Sequence, residues 1–193
     1  MEAPTSMRKW ITLALGVFAL TLPGPGRAQQ PPPQAEAQRD GSHDFDWEIG
    51  TWTTELRLRA PLSGSSEWAE YRGTSMILAL SANRANVVEL AVAGAGGSRI
   101  EGLSLRLYNP QTRQWSLNFA SMRNGVLTTP VYGAFDASGR GLFYGQDMID
   151  GRAVLVRFVI SEVTANSARF EQAYSADAGA TWEVNWIAVD TRR

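Results

Sequence analysis

The sequence predicts an all-β protein: an up-and-down antiparallel barrel of about ten strands, preceded by a short helical plug. From Thr51 onward the chain has almost no helical period and consists of short runs in which apolar and polar residues alternate. Turn signals such as Asn-Gly at 124–125 and Asp-Gly at 150–151 separate these runs. Because a meander of this length leaves two exposed edges unless it closes on itself, we expect a closed barrel.

The ten runs follow one another with short connections. The first, TWTTELRLR, places Trp52, Thr54 and Leu56 on one face and charged residues on the other, which is typical of a half-buried strand. The runs QWSLNFAS and AVLVRFVIS each have one face too apolar for the outside of a soluble monomer, so we expect these faces to point inwards. The predicted strands cover 51–59, 67–80, 86–94, 100–108, 114–121, 129–136, 141–148, 153–161, 168–175 and 181–190.

The segment SHDFDWEIG before the first strand has a different pattern. Ser42 or Asp44 is the predicted N-cap of one helical turn, and Gly50 ends it. The turn carries the aromatic residues Phe45 and Trp47, so we expect it to plug one end of the barrel.

The N-terminal part of the chain predicts a leader and a linker before a single domain. Arg8 and Lys9 precede the apolar run WITLALGVFALTL, and Ala28 follows at a cleavage point. The run is too short to span a bilayer, which needs ~20 residues. We expect a signal peptide over 1–28, a disordered Pro/Gln-rich linker over 29–42 and a barrel domain over 43–193. The mature protein is then periplasmic or secreted, with no membrane contact after cleavage.

The composition argues against several classes of function. A formal charge of −1 gives no general attraction to nucleic acid or anionic membranes. The chain has no cysteine and one histidine, His43, at the edge of the domain. Thiol catalysis is therefore excluded, and a serine-histidine triad or a histidine-based zinc site is disfavoured. We predict no catalytic residue, no metal and no cofactor.

Two local patterns can be interpreted either as purely structural or as functional. The acidic residues of HDFDWE suit an acidic first helical turn, although such oxygens also suit a hard cation. The segment GAGGSR at 94–99 resembles a phosphate loop, but it lacks the Gly-Lys-Ser/Thr ending and a strand follows it. We interpret the first as a helical turn and the second as a hairpin loop.

The stretch YSADAGATWEVNW contains the Asp-box pattern of sialidases and other propeller enzymes, with Ser175, Asp177, Gly179, Thr181 and Trp182. In this pattern side-chain oxygens bond to turn amides, the glycine supplies a positive φ and the aromatic residue packs under the hairpin. A propeller enzyme would need several copies on a much longer chain, so we predict a structural hairpin.

Two resemblances support the fold. Gly50-Thr51-Trp52 resembles the G-x-W opening of lipocalins and fatty-acid-binding proteins, in which the tryptophan closes the barrel floor and a late arginine packs on it, here Arg192 or Arg193. The pieces FDWEIGTW, YNPQTRQW and YSADAGATWEVNW resemble motifs of the DUF1579 family of exported bacterial proteins of unknown function, across about residues 44–190. This resemblance implies a lipocalin-like, calycin-like barrel and no particular reaction.

An aromatic-lined cavity is the default binding site of such a barrel. The residues predicted to line it are Trp52, Trp115, Phe119, Tyr132, Phe158, Tyr174 and Trp186. We expect a small apolar or amphipathic ligand. Two alternatives stay open: an isomerase- or cyclase-type enzyme in the same pocket, or a structural or interaction protein with a filled interior. An inward carboxylate beside an arginine would favour the enzyme, and Glu171 and Arg157 lie on adjacent predicted strands.

Overall fold

The computed structural model describes residues 39–193, and these form the closed antiparallel barrel that the sequence predicts. Ten strands follow one another as a meander, and the last strand pairs with the first. The strands are β1 (Gly50–Leu58), β2 (Ala69–Leu80), β3 (Ala85–Gly94), β4 (Arg99–Asn109), β5 (Gln114–Ser121), β6 (Val131–Phe135), β7 (Gly141–Ile149), β8 (Arg152–Ser161), β9 (Ser167–Ser175) and β10 (Glu183–Arg192). The predicted leader and the first part of the predicted linker lie outside the described residues.

The pairing of β1 with β10 closes the barrel. Its register runs from Trp52 opposite Arg192 to Leu58 opposite Trp186. Every strand therefore has two bonded neighbours, so no open edge is left for pairing with another chain. Within residues 39–193, no helix is long and apolar enough to cross a bilayer.

The side chains alternate between the inside and the outside of the barrel, as in any β-strand. Trp52, Thr54 and Leu56 of β1 are buried, and so are Trp115 and Leu117 of β5. On β8 the buried residues again include alternate positions, Val154 and Val156. The inward faces predicted for these three strands are therefore confirmed.

The segment before β1 plugs one end of the barrel. It contains one 3-10 turn, Asp46–Glu48, which the apolar side chain of Phe45 precedes. The Phe45 ring packs edge-on against Trp115 and Phe135, with centroids 5.0 and 5.1 Å away. We call this the plug end. The opposite end, which carries the β1–β2, β3–β4, β5–β6, β7–β8 and β9–β10 connections, is called the hairpin end.

Trp52 lies at the plug end and is fully buried. Its indole N–H donates to the Glu48 carbonyl, and the Arg192 guanidinium lies 4.2 Å from its ring centroid. Arg192 also donates to the carbonyl oxygens of Trp47 and Ile49, so it ties the plug to the last strand. The tryptophan and arginine that the G-x-W resemblance implies are thus both in place.

The predicted N-cap and the predicted domain boundary both need correction. Neither Ser42 nor Asp44 caps the turn, because Phe45 occupies the cap position and makes no side-chain cap bond. Asp44 instead forms an ion pair with Arg39. Gly41 accepts a hydrogen bond from the Trp115 indole at 2.8 Å. The compact barrel unit therefore includes residues 39–42, which were predicted to belong to the linker.

In strand β4 the leucines face outwards and polar residues face the barrel interior, the reverse of the usual arrangement. Leu103 and Leu107 are on its outer face, and Leu107 is 44% exposed. Arg106 pairs in register with the inward residue Leu117, and paired residues share a face of the sheet. The inner face of β4 therefore carries Arg106 and the residues two positions away, Ser104 and Tyr108. A polar strand face directed inwards indicates that this part of the interior is not a plain apolar core.

Candidate functional site

The barrel encloses a cavity of about 290 Å³. This volume lies near the lower end of the range for ligand pockets, ~300–1,000 Å³. Most of the wall is apolar and comes from β3, β5, β8, β9 and β10. The apolar side chains along the wall are Val88, Leu90, Leu117, Phe119, Val131, Val156, Phe158, Ile160, Ala168, Phe170, Trp186 and Ala188.

The interior is not fully packed. Phe119, Phe158, Phe170 and Trp186 all lie on inward phases of their strands, yet each stays only half buried. In a filled core such rings are covered completely, because interiors pack as densely as organic crystals. The exposed parts of these rings therefore face the cavity.

The structure brings four of the seven predicted lining residues to the cavity wall: Phe119, Phe158, Tyr174 and Trp186. Trp52 and Trp115 also point inwards, but both are fully covered by the plug and lie outside the wall. The prediction for Tyr132 is wrong. It is 53% exposed on the outer face, since Val131 takes the inward phase of β6.

A buried ion pair joins the plug to the barrel wall. Both guanidinium Nη atoms of Arg106 donate to the two carboxylate oxygens of Glu48, and one of these contacts measures 3.2 Å. The guanidinium also lies 4.4 Å from the centroid of the Phe45 ring. The charge of the arginine is thus compensated by the Glu48 carboxylate of the plug.

Asp190 is the second carboxyl at this level of the cavity. Thr54 donates to its Oδ1 at 2.5 Å and accepts from Ser75 at 2.7 Å. Burial raises the pKa of Asp190 from 3.8 to about 6, and the Glu48 charge acts in the same direction. The Thr54 hydrogen bond and the Arg106 charge oppose this rise. The carboxyl therefore titrates close to neutral pH, although it forms no ion pair within residues 39–193.

A second polar group lies nearer the hairpin end. The Tyr174 hydroxyl donates to Asp147 at 3.3 Å, and Gln172 donates to Tyr174 and to Asn185. Asn185 sits at an irregularity in the β9–β10 register, which turns its side chain inwards. Desolvation and the Asp147 charge raise the pKa of Tyr174 well above its usual value, so the phenol stays protonated and acts as a donor.

The inward carboxylate beside an arginine exists, but not where the sequence suggested. Glu171 and Arg157 both lie on outer phases, because each stands between two residues that line the cavity; Glu171 pairs with Arg169 and Arg157 stacks on Trp182. The inward groups are Glu48, Arg106 and Asp190. The sequence signal for Arg106 and Asp190 was their position in the strand alternation. Arg106 shares a strand face with Ser104 and Tyr108, and Asp190 shares one with Ala188 and Trp186.

The acidic residues of HDFDWE do not converge on one point. Asp44 binds Arg39, Asp46 binds His43 and Glu48 binds Arg106. Residues 39–193 contain no group of three or more acidic or histidine side chains arranged to hold a metal. His43 is a surface residue, with a side chain that is 70% exposed.

The Asp-box is a self-contained hairpin between β9 and β10. Asp177 accepts from the Ser175 hydroxyl, the Thr181 amide and the Thr181 hydroxyl, at 2.6 to 2.9 Å. Gly179 has the positive φ of 92° that the turn requires. Trp182 donates to the Gly179 carbonyl at 3.1 Å. Since the polar side chains of the motif bond within the hairpin, the structural interpretation is supported. The GAGGSR segment likewise forms a hairpin loop, between β3 and β4.

Fold and site together define the class: a closed up-and-down barrel whose apolar cavity carries buried polar groups at both ends. No family model matches the chain, and no curated protein matches it. The resemblance to the DUF1579 family therefore stays a prediction.

Solved structures do share the architecture. The chain is similar to an S-type phycobiliprotein lyase from Guillardia theta, with 9% identity, a TM-score of 0.56, and coverage of 81% of this chain and 94% of that chain. It also matches a de novo designed fluorescence-activating β-barrel, with 13% identity, a TM-score of 0.43, and coverage of 81% and 100%. At such identities the first similarity shows the fold and nothing further.

Proposed function

We propose that the barrel binds one small apolar or amphipathic ligand in its internal cavity. The observation that carries this proposal is the row of half-buried aromatic rings around about 290 Å³ of space. A mainly apolar pocket with a few placed polar groups is the general form of small-molecule sites. Burial of ligand surface against these rings provides the affinity, and the polar groups at the two ends orient the ligand.

Ligand binding is testable with the protein's own tryptophans. Trp47 and Trp186 line the cavity, so an occupant should quench their fluorescence. A ligand at about a hundredfold excess over its dissociation constant should raise stability by ~2.7 kcal/mol. The screen should contain fatty acids, terpenoids, alcohols, amines and aromatic compounds. A screen without quench or stabilisation would contradict the proposal and favour a structural role.

A matched pair of variants separates the cavity from the outer surface. Ala188 faces the cavity, whereas Val189, the next residue, is exposed on the outer face. Ala188→Phe should fill the cavity and abolish binding while the barrel still folds. Val189→Phe adds a ring outside and should leave binding unchanged. Equal effects of the two variants would show that the ligand binds elsewhere.

One observation favours a second candidate, an isomerase-type enzyme in the same cavity. Asp190 has a pKa raised to about 6 and faces a largely apolar cavity near Arg106. Perturbed carboxyls in clefts are typical of general acid–base catalysts. Asp190 would accept a proton from one substrate atom and return it to another, so the reaction needs no co-reactant. Turnover of a bound ligand that Asp190→Asn abolishes without weakening binding would select this candidate.

A further inference from the structure

The charges along the cavity are not balanced. Three acidic residues line it, Glu48, Asp147 and Asp190, together with Arg106; Arg169 borders it only from the outer phase of β9, which it shares with Glu171. Each arginine is already paired with a glutamate, Arg106 with Glu48 and Arg169 with Glu171. Neither Asp147 nor Asp190 has a cationic partner among the described residues. The cavity therefore presents unpaired negative charge and no unpaired positive charge.

Arg106 is a poor anchor for an anionic ligand, because its charge is already compensated by Glu48. Both of its Nη atoms donate to Glu48, and its Nε is buried without a partner, closed off from the cavity space. A ligand carboxylate would have to compete with Glu48 for this guanidinium. Displacing Glu48 would leave a buried carboxylate unpaired, and binding beside it would bring two carboxylates together, so both are unfavourable.

Asp190, in contrast, can still accept a hydrogen bond. Its Oδ1 accepts from Thr54, while its Oδ2 has no hydrogen-bond partner within residues 39–193. The part of Asp190 that is still exposed borders the cavity. In this low-dielectric site, a donor that also carries positive charge gives a stronger bond than a neutral donor.

Aromatic rings lie beside the carboxyl. Ala188 and Asp190 pair with Phe170 and Ala168, so Phe170 is a diagonal neighbour of Asp190 on the inner face. Phe158 packs edge-on against Phe170, with centroids 5.1 Å apart. Phenylalanine faces attract cations as well as apolar groups.

We propose that the cavity selects an organic cation: an apolar body that carries one protonated amine, with the ammonium against Asp190 and the body among the rings of Phe158 and Phe170. This inference rests on the proposed ligand-binding function and specifies the class of ligand. It ranks an amine above the alcohol of the same length, and the alcohol above the carboxylate.

A matched series of probes tests the ranking. Octylamine, octanol and octanoate have the same apolar chain and differ in their polar end. Calorimetric titrations should be run well above the pKa of about 6, where Asp190 is ionised. We expect octylamine to bind about tenfold or more tightly than octanol, as a charge-assisted bond implies, and octanoate to bind most weakly.

Two variants test whether Asp190 is the residue responsible for the preference for the amine over the alcohol. Asp190→Asn should bring octylamine and octanol to about equal affinity. Glu55→Gln is the control, because Glu55 is the outward neighbour of Thr54 and its loss changes the net charge equally. This control should keep the ranking. If Asp147→Asn removes the amine preference instead, the assignment to Asp190 is overturned.

The result that overturns the inference is octanoate binding as tightly as octylamine. In that case Ala188→Phe, which should still abolish octanoate binding, shows that the proposed ligand-binding function survives. Absence of binding by all three probes would also overturn the inference, and the broad screen then decides the proposed function independently.

Discussion

Replacing Asp190 by asparagine should make the barrel more stable at neutral pH. The carboxyl is buried without a cationic partner, and its pKa rises from 3.8 to about 6. In the folded state it holds its proton more tightly than in the unfolded state. Between these two values the folded state therefore binds more protons, so this group lowers the stability as pH rises. Asparagine carries no charge and removes this dependence.

The magnitude follows from the shift. A difference of about two pKa units corresponds to ~3 kcal/mol, at 1.36 kcal/mol per unit. This is an upper limit for the gain, because cavity water would solvate the carboxylate and the asparagine amide must replace the bond with Thr54. We therefore expect Asp190→Asn to gain between about 1 and 3 kcal/mol above pH 6.

Urea unfolding at a series of pH values measures this gain. The difference in stability between the variant and the wild type should grow between about pH 4 and 6 and stay constant above that range. Glu55→Gln, which removes an exposed carboxylate, should show no such rise. A variant that is less stable than the wild type at neutral pH would refute the reasoning, since Asp190 would then be a net stabilising group.

Three further predictions concern other parts of the chain. Trp52→Ala should cost ~3–5 kcal/mol in denaturant unfolding, because Trp52 is fully buried; an unchanged midpoint would contradict its role at the plug end. Asp177→Ala should lower the melting temperature and leave ligand binding unchanged. Hydrogen bonds from Thr181 and Ser175 hold the pKa of Asp177 at about 2, so its contribution should fade as the pH falls towards that value. N-terminal sequencing of exported protein should begin near Gln29; mature material starting at Met1 or Met7 would rule out the predicted cleavage.

The strand order could be predicted from the sequence because each strand and each turn is encoded locally. Alternation located the ten strands, and Asn-Gly, Asp-Gly and the Asp-box marked hairpins between neighbours. A meander needs no long-range information beyond closure. Closure follows from the unfavourable exposure of two free edges.

The inward face could be predicted for the strands with one strongly apolar face, β1, β5 and β8, but not for every strand. In β4 the leucines at 103 and 107 point outwards and Arg106 points inwards, because the interior is partly polar. The prediction for Tyr132 was wrong for a related reason, because an aromatic side chain on a barrel strand can lie on the inner or the outer face. Alternation identifies two faces but not which one lines the cavity.

The polar site was hidden because its members are far apart in the chain. Glu48 lies on the plug, Arg106 on β4 and Asp190 on β10. Only the closure of β1 on β10 brings Asp190 beside Thr54, and only the folded plug brings Glu48 to Arg106. A single sequence gives no indication that these side chains come into contact, apart from the inward phase of each polar residue.

Among the described strands, the shortest ladder joins β5 to β6; we call it the seam, and we expect it to be the part of the wall that opens most easily. The β5–β6 ladder extends only from Trp115 opposite Gly133 to Leu117 opposite Val131, followed towards the hairpin end by an isolated bridge at Ala120. Thr128 and Thr129 lie between the ladder and this bridge and border the cavity, and the Thr128 amide donates to the Phe119 carbonyl at 2.7 Å. Local opening is easiest where the fewest hydrogen bonds must break. If the proposed ligand enters and leaves through this seam, its residence time depends on the β5–β6 ladder and its equilibrium affinity on the cavity, so we expect the two to change independently.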